Sequence, residues 1–299
     1  MTLTDIINQN AKIHLNAFDE PFAKEVQNRL TALGCLDPPA DGIFGQVSRL
    51  AIRKLAKIVN LAFDDVVDAN FANILLNHTA DDLFPLTLGN DFASRIIQYM
   101  QLKNYWFARI PNFLTIVYVE GTNEDGNLNN DAFNEFNDRR IVLAFEDGKP
   151  KILHNALATT EPGRFFTVHP TNPLGAARIA FGQFKAWSVG IHKAGTPSAH
   201  AALVQVAPLP VHRDLNQDGR RTGDAVDKGI FGINQHKGFN APVTNIGRSS
   251  AGCLVSRLNS DHTAFMSLVK TELRYRDASH SYRFISTIIA GDDLKNKIG

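Results

Sequence analysis

The pattern of apolar residues changes character at Pro111, and that change limits what the chain can fold into. Before it, apolar side chains recur at helical spacing. Val26, Leu30 and Leu33 share one face, with Gly34 placed to end the helix. Leu50, Ala51, Leu55 and Ile58 mark a second helix over residues 47–59, and Val67, Phe71 and Leu75 a third over 66–76. The Asp37-Pro38-Pro39-Ala40-Asp41-Gly42 stretch between the first two is a turn by composition. A further helical run, Ala93 to Met100, reads as a connection between modules. After Pro111 come β-branched and aromatic runs bounded by Gly, Asn and Asp, at 114–119, 140–145, 176–181, 201–206, 229–234, 253–257 and 282–289, with one helix at 260–273. The expected fold class is therefore α+β. A small three-helix bundle at 18–80 leads through a helical linker at 81–110 into a mainly antiparallel β domain at 111–299.

With 44% hydrophobic and 20% charged residues over 299 positions, the chain can bury a full core. A net charge of +1 gives no electrostatic reason to expect nucleic acid or an anionic membrane as partner. The first ten residues lack a basic segment followed by an apolar one, and no run is apolar enough to span a bilayer. The expectation is synthesis in the cytoplasm, with any action at a cell wall or in a periplasm requiring delivery by another route. Two cysteines, Cys35 and Cys253, permit one disulfide at most, and pairing would remove Cys253 as a nucleophile.

The segment with most chemical content runs from Gly232 to Arg257 and joins His236 to Cys253 through a linker rich in Gly, Asn and Ser. A thiol needs its pKa lowered from about 8.5, or its proton removed, to attack at neutral pH, and an imidazole in reach can do both. Gly252 allows close backbone approach to a substrate carbonyl, so that N–H groups around Cys253 can face a developing oxyanion. Strand alternation after the cysteine puts Cys253, Val255 and Arg257 on one face, bringing Arg257 to where a carboxylate would sit. The plain alternative is a buried structural cysteine, a common core residue.

These residues resemble the signature of the L,D-transpeptidases of the YkuD type, which cut and rejoin peptidoglycan stem peptides through a cysteine thioester. His236 falls on the family's histidine, Gly238 near its following glycine, Gly247 on its mid-linker glycine, and Ser250, Gly252 and Cys253 on its Ser-x-Gly-Cys. The chain departs from the pattern at Lys237, where glycine is usual, and at Val255, where arginine is usual. The N-terminal block resembles the peptidoglycan-binding domain of cell-wall hydrolases, through Val26-Gln27, Leu30, Leu33-Gly34 and Asp41-Gly42-Ile43-Phe44-Gly45. Together the resemblances imply a wall-binding bundle joined to a β-rich enzyme that needs no cofactor. Cys253 would be the nucleophile, His236 the base, Ser250 and Gly252 would shape the site, and Arg257 and Gly247 would meet substrate. A phage lysin or a delivered antibacterial effector, with an immunity protein or delivery apparatus as partner, fits that composition. The other classes are a non-catalytic wall-binding component of a phage or injection apparatus, and a muramidase or amidase carrying the same bundle.

Two features stand outside the signature. Asp214-Leu215-Asn216-Gln217-Asp218-Gly219 reads as the start of a calcium loop without its closing glutamate, as a solvated turn, or as carboxylates for a substrate amine, Asp218 among them. His192, flanked by strand-like residues and near Gly190 and Gly195, is a candidate to line the same cleft. No zinc-spaced His/Cys motif, Walker loop or dinucleotide fingerprint occurs, which leaves a metallopeptidase and nucleotide cofactors without support.

Overall fold

The computed structural model describes all 299 residues. Helix α1 (Leu3–Gln9) opens the chain under a capping box in which Thr2 and Asp5 bond each other's backbone N–H. Strand β1 (Ile13–His14) precedes α2 (Glu20–Ala32), which starts at the Asp19 cap with Pro21 in its first turn. Next come α3 (Gln46–Ile58), β2 (Val66–Val67), α4 (Ala69–Asn77), the single turn α5 (Ala80–Leu83) and α6 (Phe92–Leu102). Phe22, Val26, Leu30, Leu55, Phe71 and Leu75 meet in one core. The third helix of the expected bundle, α4, begins at Ala69 and not at 66. Val66 and Val67 pair with His14 and Ile13 instead, and Asp68 Oδ1 caps α4 by accepting the Phe71 N–H (2.9 Å). α1 is one apolar turn, Leu3 and Ile6, too short to stand out as a period.

Gln27 explains the loop between α2 and α3. Its Nε2 donates to Asp41 Oδ1 (2.8 Å), Ile43 O (3.1 Å) and Ser48 Oγ (3.1 Å), while Gly42 N–H donates to its Oε1 (2.8 Å). A single buried amide therefore holds the Asp-Gly turn against the start of α3. Gly42, at φ +80°, takes a conformation that disfavours a Cβ.

The second half supplies β3 (Thr115–Glu120), β4 (Asp138–Glu146), β5 (Lys149–Thr159), α7 (Arg164–Val168), β6 (Ala176–Ile179), β7 (Gly182–His192), β8 (His200–Gln205), β9 (Leu209–Asp214) and β10 (Ala225–Gly229). It ends with β11 (Gln235–Lys237), β12 (Leu254–Ser256), α8 (Asn259–Val269), a π turn (Arg274–Ala278), β13 (Phe284–Ala290) and α9 (Gly291–Ile298). Eight strands close into a barrel in the order β11-β12-β5-β4-β3-β13-β7-β8, and β10-β9-β6 form a separate sheet. All barrel pairings are antiparallel except β11 with β12 and β3 with β13. Ile116 and Tyr118 of β3 face the core shared with Val142, Leu203 and Leu254, and Val117 and Val119 face the other way.

Two expectations need correcting. α6 is not a linker: Ile96, Ile97 and Met100 cover Val117, Val119, Ile141 and Leu143 on the outer face of the barrel, while Ala108, Ile110 and Phe113 belong to the bundle's core. The expected strand at 229–234 does not form, because β10 ends at Gly229 and the chain turns through Gly232 at φ +74° before β11. Strands β5, β7 and β9 carry interior polar or glycine positions that broke the apolar pattern.

Bundle and barrel are joined by buried charge. Arg274 lies against Glu272 (2.8 Å) and Asp37 (3.4 Å), all three nearly closed to solvent, and Lys185 reaches the other oxygen of Asp37 (2.6 Å). The Arg274 Nη2 also donates to Leu114 O (2.9 Å). Removing the guanidinium leaves Glu272 buried without its cation, and Asp37 with Lys185 alone, in a low-dielectric setting where breaking a buried pair costs about 3–5 kcal/mol. Arg274→Met is expected to lose stability of about that size in urea denaturation. A loss below about 1 kcal/mol, the range of an exposed ion pair, would contradict the structural role.

Candidate functional site

The parallel pairing of β11 with β12 builds the site. Parallel neighbours cannot be joined by a tight turn, so the chain must travel back between them, and the Gly/Asn/Ser-rich linker does this. His236 pairs with Val255, and Leu254 N–H donates to Asn234 O (2.9 Å). Gln235 and Leu254 therefore point into the barrel, while Asn234, His236, Cys253 and Val255 share the outer face.

The linker is pinned to neighbouring loops. Ile246 N–H donates to Asn134 O (2.9 Å), Gly247 N–H to Asn134 Oδ1 (3.0 Å), and Gly163 N–H to Ser250 O (2.9 Å). Gly247 sits at φ +55° in this brace. Nothing in the sequence marked Asn134 or Gly163, whose importance comes from long-range loop contact. Ser250 Oγ donates to Cys253 O (2.9 Å) and accepts Gly252 N–H (3.0 Å), closing a turn before the cysteine. Gly252 has φ +121°, and a Cβ there would stand 2.2 Å from Ala177 O. Close approach at Gly252 is thus real, but its N–H is taken by Ser250 and is not free for an oxyanion. Cys253 N–H has no acceptor in the protein.

The two cysteines are unpaired. Cys253 is 9% exposed, and its Sγ donates to Gly232 O (3.3 Å). Burial pushes the thiol up to about 11, so the expectation that a neighbouring imidazole lowers it is not met in this state. His236 Nδ1 lies 2.8 Å from Lys237 O, an oxygen that can only accept, so Nδ1 carries the proton and Nε2 is left with its lone pair. Burial and the adjacent His192 hold His236 well below the usual histidine range. Thiol and imidazole are both neutral, and the thiol's hydrogen bond goes to a carbonyl oxygen.

His192 stacks on His236, ring centres 3.9 Å apart and planes 12° off parallel. His200 adds its edge at 5.9 Å from His236, and His262 stands 5.7 Å from His200. Only His192 and His236 stack, His200 meeting its neighbours edge-on, and no three His, Cys, Asp or Glu side chains are placed to hold a metal ion. Arg257 donates Nη1 to Ala241 O (3.1 Å), bracing the linker, so a substrate carboxylate would have to compete for it. Asp218 lies elsewhere, lining a cavity of about 650 Å³ with Glu120, Glu161, Arg178 and Arg221. In that cluster burial acts against ionisation, but Arg221 and Arg178 together bring Glu120 down to about 2. Asp214 accepts the N–H groups of Asp218 (3.1 Å) and Gly219 (3.0 Å), so the loop read as a possible calcium site closes on its own backbone.

Residues 19–75 match the model of a family described as "Putative peptidoglycan binding domain". No curated protein matches the chain. Among solved structures, the chain is similar to a fused Zn-dependent amidase/peptidase/peptidoglycan-binding domain-containing protein from Clostridium acetobutylicum, at 15% identity and a TM-score of 0.27, covering 93% of this chain and 99% of that one. It is also similar to an L,D-transpeptidase from Xylanimonas cellulosilytica, at 15% identity and a TM-score of 0.24, covering 89% and 92%.

A thiol held at about 11 ionises tenfold more with each pH unit gained below that value. Alkylation of Cys253 by iodoacetamide, followed by mass spectrometry, is expected to climb about tenfold per unit from about pH 7 to 10. A plateau already reached below about pH 8 would mean a preformed thiolate and contradict the neutral pair.

Proposed function

We propose that this chain is a peptidoglycan-active cysteine enzyme that acts on stem peptides at the cell wall. The N-terminal domain holds the wall and raises the local concentration of substrate. The observation that carries the reading is the His236 tautomer: Lys237 O takes the Nδ1 proton, leaving an unprotonated Nε2 on the same face as Cys253.

In this reading the thiol gives its proton to His236 Nε2 as the substrate amide seats, and sulfur attacks the carbonyl between the L centre of diaminopimelate and a D-amino acid. Collapse of the tetrahedral intermediate expels the amine, which takes its proton from His236 and leaves a thioester on Cys253. An amine acceptor then gives exchange or crosslinking, and water gives cleavage. Ser250 and Gly252 shape the turn that presents the sulfur, and Gly247 and Arg257 fix the linker beside it. Asp218 has no part in the attack.

A second reading is favoured by one observation, the burial that keeps the thiol neutral: a wall-binding component with a non-catalytic barrel. Mass spectrometry of muropeptides incubated with wild type, Cys253→Ala and His236→Ala separates the two. The enzyme reading expects new product masses with wild type and losses of at least about 10³-fold in both variants. Unchanged muropeptides with wild type would favour the binding component. Products that persist with Cys253→Ala would point to a muramidase or amidase centre.

A further inference from the structure

Two N–H groups close to Cys253 differ in what they bond. The Gly252 N–H is bound to Ser250 Oγ (3.0 Å), whereas the Cys253 N–H has no protein acceptor. One more donor nearby is also unmatched. Gln205 N–H donates to Asn234 Oδ1 (2.8 Å), which fixes the orientation of the amide and turns its Nδ2 toward His192 Nδ1 (2.9 Å). An amide Nδ2 can only donate, so His192 Nδ1 must accept and the ring's proton must sit on Nε2. That Nε2–H has no partner, although His192 is only 8% exposed. A buried donor left unmatched costs about 1–3 kcal/mol, so an acceptor brought by a ligand is its natural complement.

The position of the ring fits such an acceptor. His192 bonds Asn234 and stacks on His236, two residues on from Asn234 along the same chain face, and Asn234 is the cross-strand neighbour of Cys253. We infer that His192 Nε2–H and Cys253 N–H form the donor pair that receives the substrate carbonyl oxygen, and that Asn234 is the positioning residue that sets the His192 tautomer. This inference rests on the cysteine-enzyme reading and deepens it. As the Cys253 sulfur bonds the carbonyl carbon, the π electrons move to oxygen and the two N–H groups take up the charge. On collapse the C=O re-forms, the C–N bond breaks, and the amine leaves with the proton that His236 had taken from the thiol. His192 gives up no proton at any point. The site thus selects a neutral amide or ester carbonyl delivered over Cys253.

Two reactions of one sulfur test the assignment. Alkylation by iodoacetamide needs the thiolate but forms no oxyanion, whereas acyl transfer from a stem peptide forms one. His192→Phe keeps a ring on His236 and removes the donor. It is expected to lower kcat for stem-peptide turnover by about 10²–10³-fold, the usual effect of losing one oxyanion donor. Its alkylation rate should stay within about twofold of wild type, because burial sets the thiol's reactivity in the free protein and the ring change leaves the sulfur's own surroundings in place. Asn234→Ala, which frees the tautomer, should lower kcat in the same direction by less. Nitrogen NMR of wild-type His192 should show the proton on Nε2, and this readout stands even if the Phe variant fails to fold. A proton on Nδ1, full turnover by His192→Phe, or a parallel fall in turnover and alkylation would overturn the donor pair. Turnover that survives Cys253→Ala would instead remove the cysteine reading itself, a result distinct from each of these.

Discussion

The parallel alignment of Gln235–Lys237 with Leu254–Ser256 is the constraint on which the rest depends. It puts His236 and Cys253 on one face although a long irregular linker separates them. It also determines what that linker must do. Because the linker has no helix or strand of its own, Asn134, Gly163 and the Ser250 hydroxyl hold it by individual hydrogen bonds. A shift of one residue in the pairing would turn Cys253 into the barrel and Leu254 out of it.

The chemistry comes from burial more than from charge. Withdrawal from water raises the thiol and lowers His236 and His192, so each group takes its neutral form in the free protein. Neutral groups cost less to bury than charged ones, and the site keeps its shape with no ion pair at its centre. Hydrogen bonds then fix the tautomers. Lys237 O assigns the proton of His236 to Nδ1, and Asn234 assigns that of His192 to Nε2, so one of the two stacked rings keeps a lone pair on Nε2 and the other an N–H. Charge is concentrated elsewhere, in the Arg274 cluster that joins bundle to barrel and in the Glu120, Arg178 and Arg221 cluster near the Asp218 cavity.

Much of the architecture was readable from residue order, for identifiable reasons. α2 and α3 announce themselves because their apolar faces are uninterrupted and their ends carry Asp19, Gly34 and Gly45. The Asp41-Gly42 turn is legible because its shape depends on local chemistry. β7 was missed because Lys185, Gly182 and Gly190 interrupt its pattern, and it holds strand geometry through neighbours on both sides. His192 was visible as a candidate but its surroundings were not, since Asn234, Gln205 and His236 are brought together around it only by the closed barrel. Arg257 shares the face that alternation assigns it, yet its guanidinium is engaged by Ala241 O, a contact no periodicity reports. Asp218 precedes Cys253 in sequence order but lines a different cavity, because it sits between β9 and β10 of the separate sheet and not on the barrel strands β11 and β12.

The central claim is that the Cys253 sulfur becomes covalently acylated by a stem peptide while the neighbouring imidazole carries its proton. Rapid acid quenching of the protein with stem peptide, followed by intact mass and peptide mapping, tests it most directly. The account predicts an added acyl mass on the peptide containing Cys253, released by hydroxylamine as a thioester would be. Turnover with no such adduct, or an acyl mass on any other residue, would contradict it.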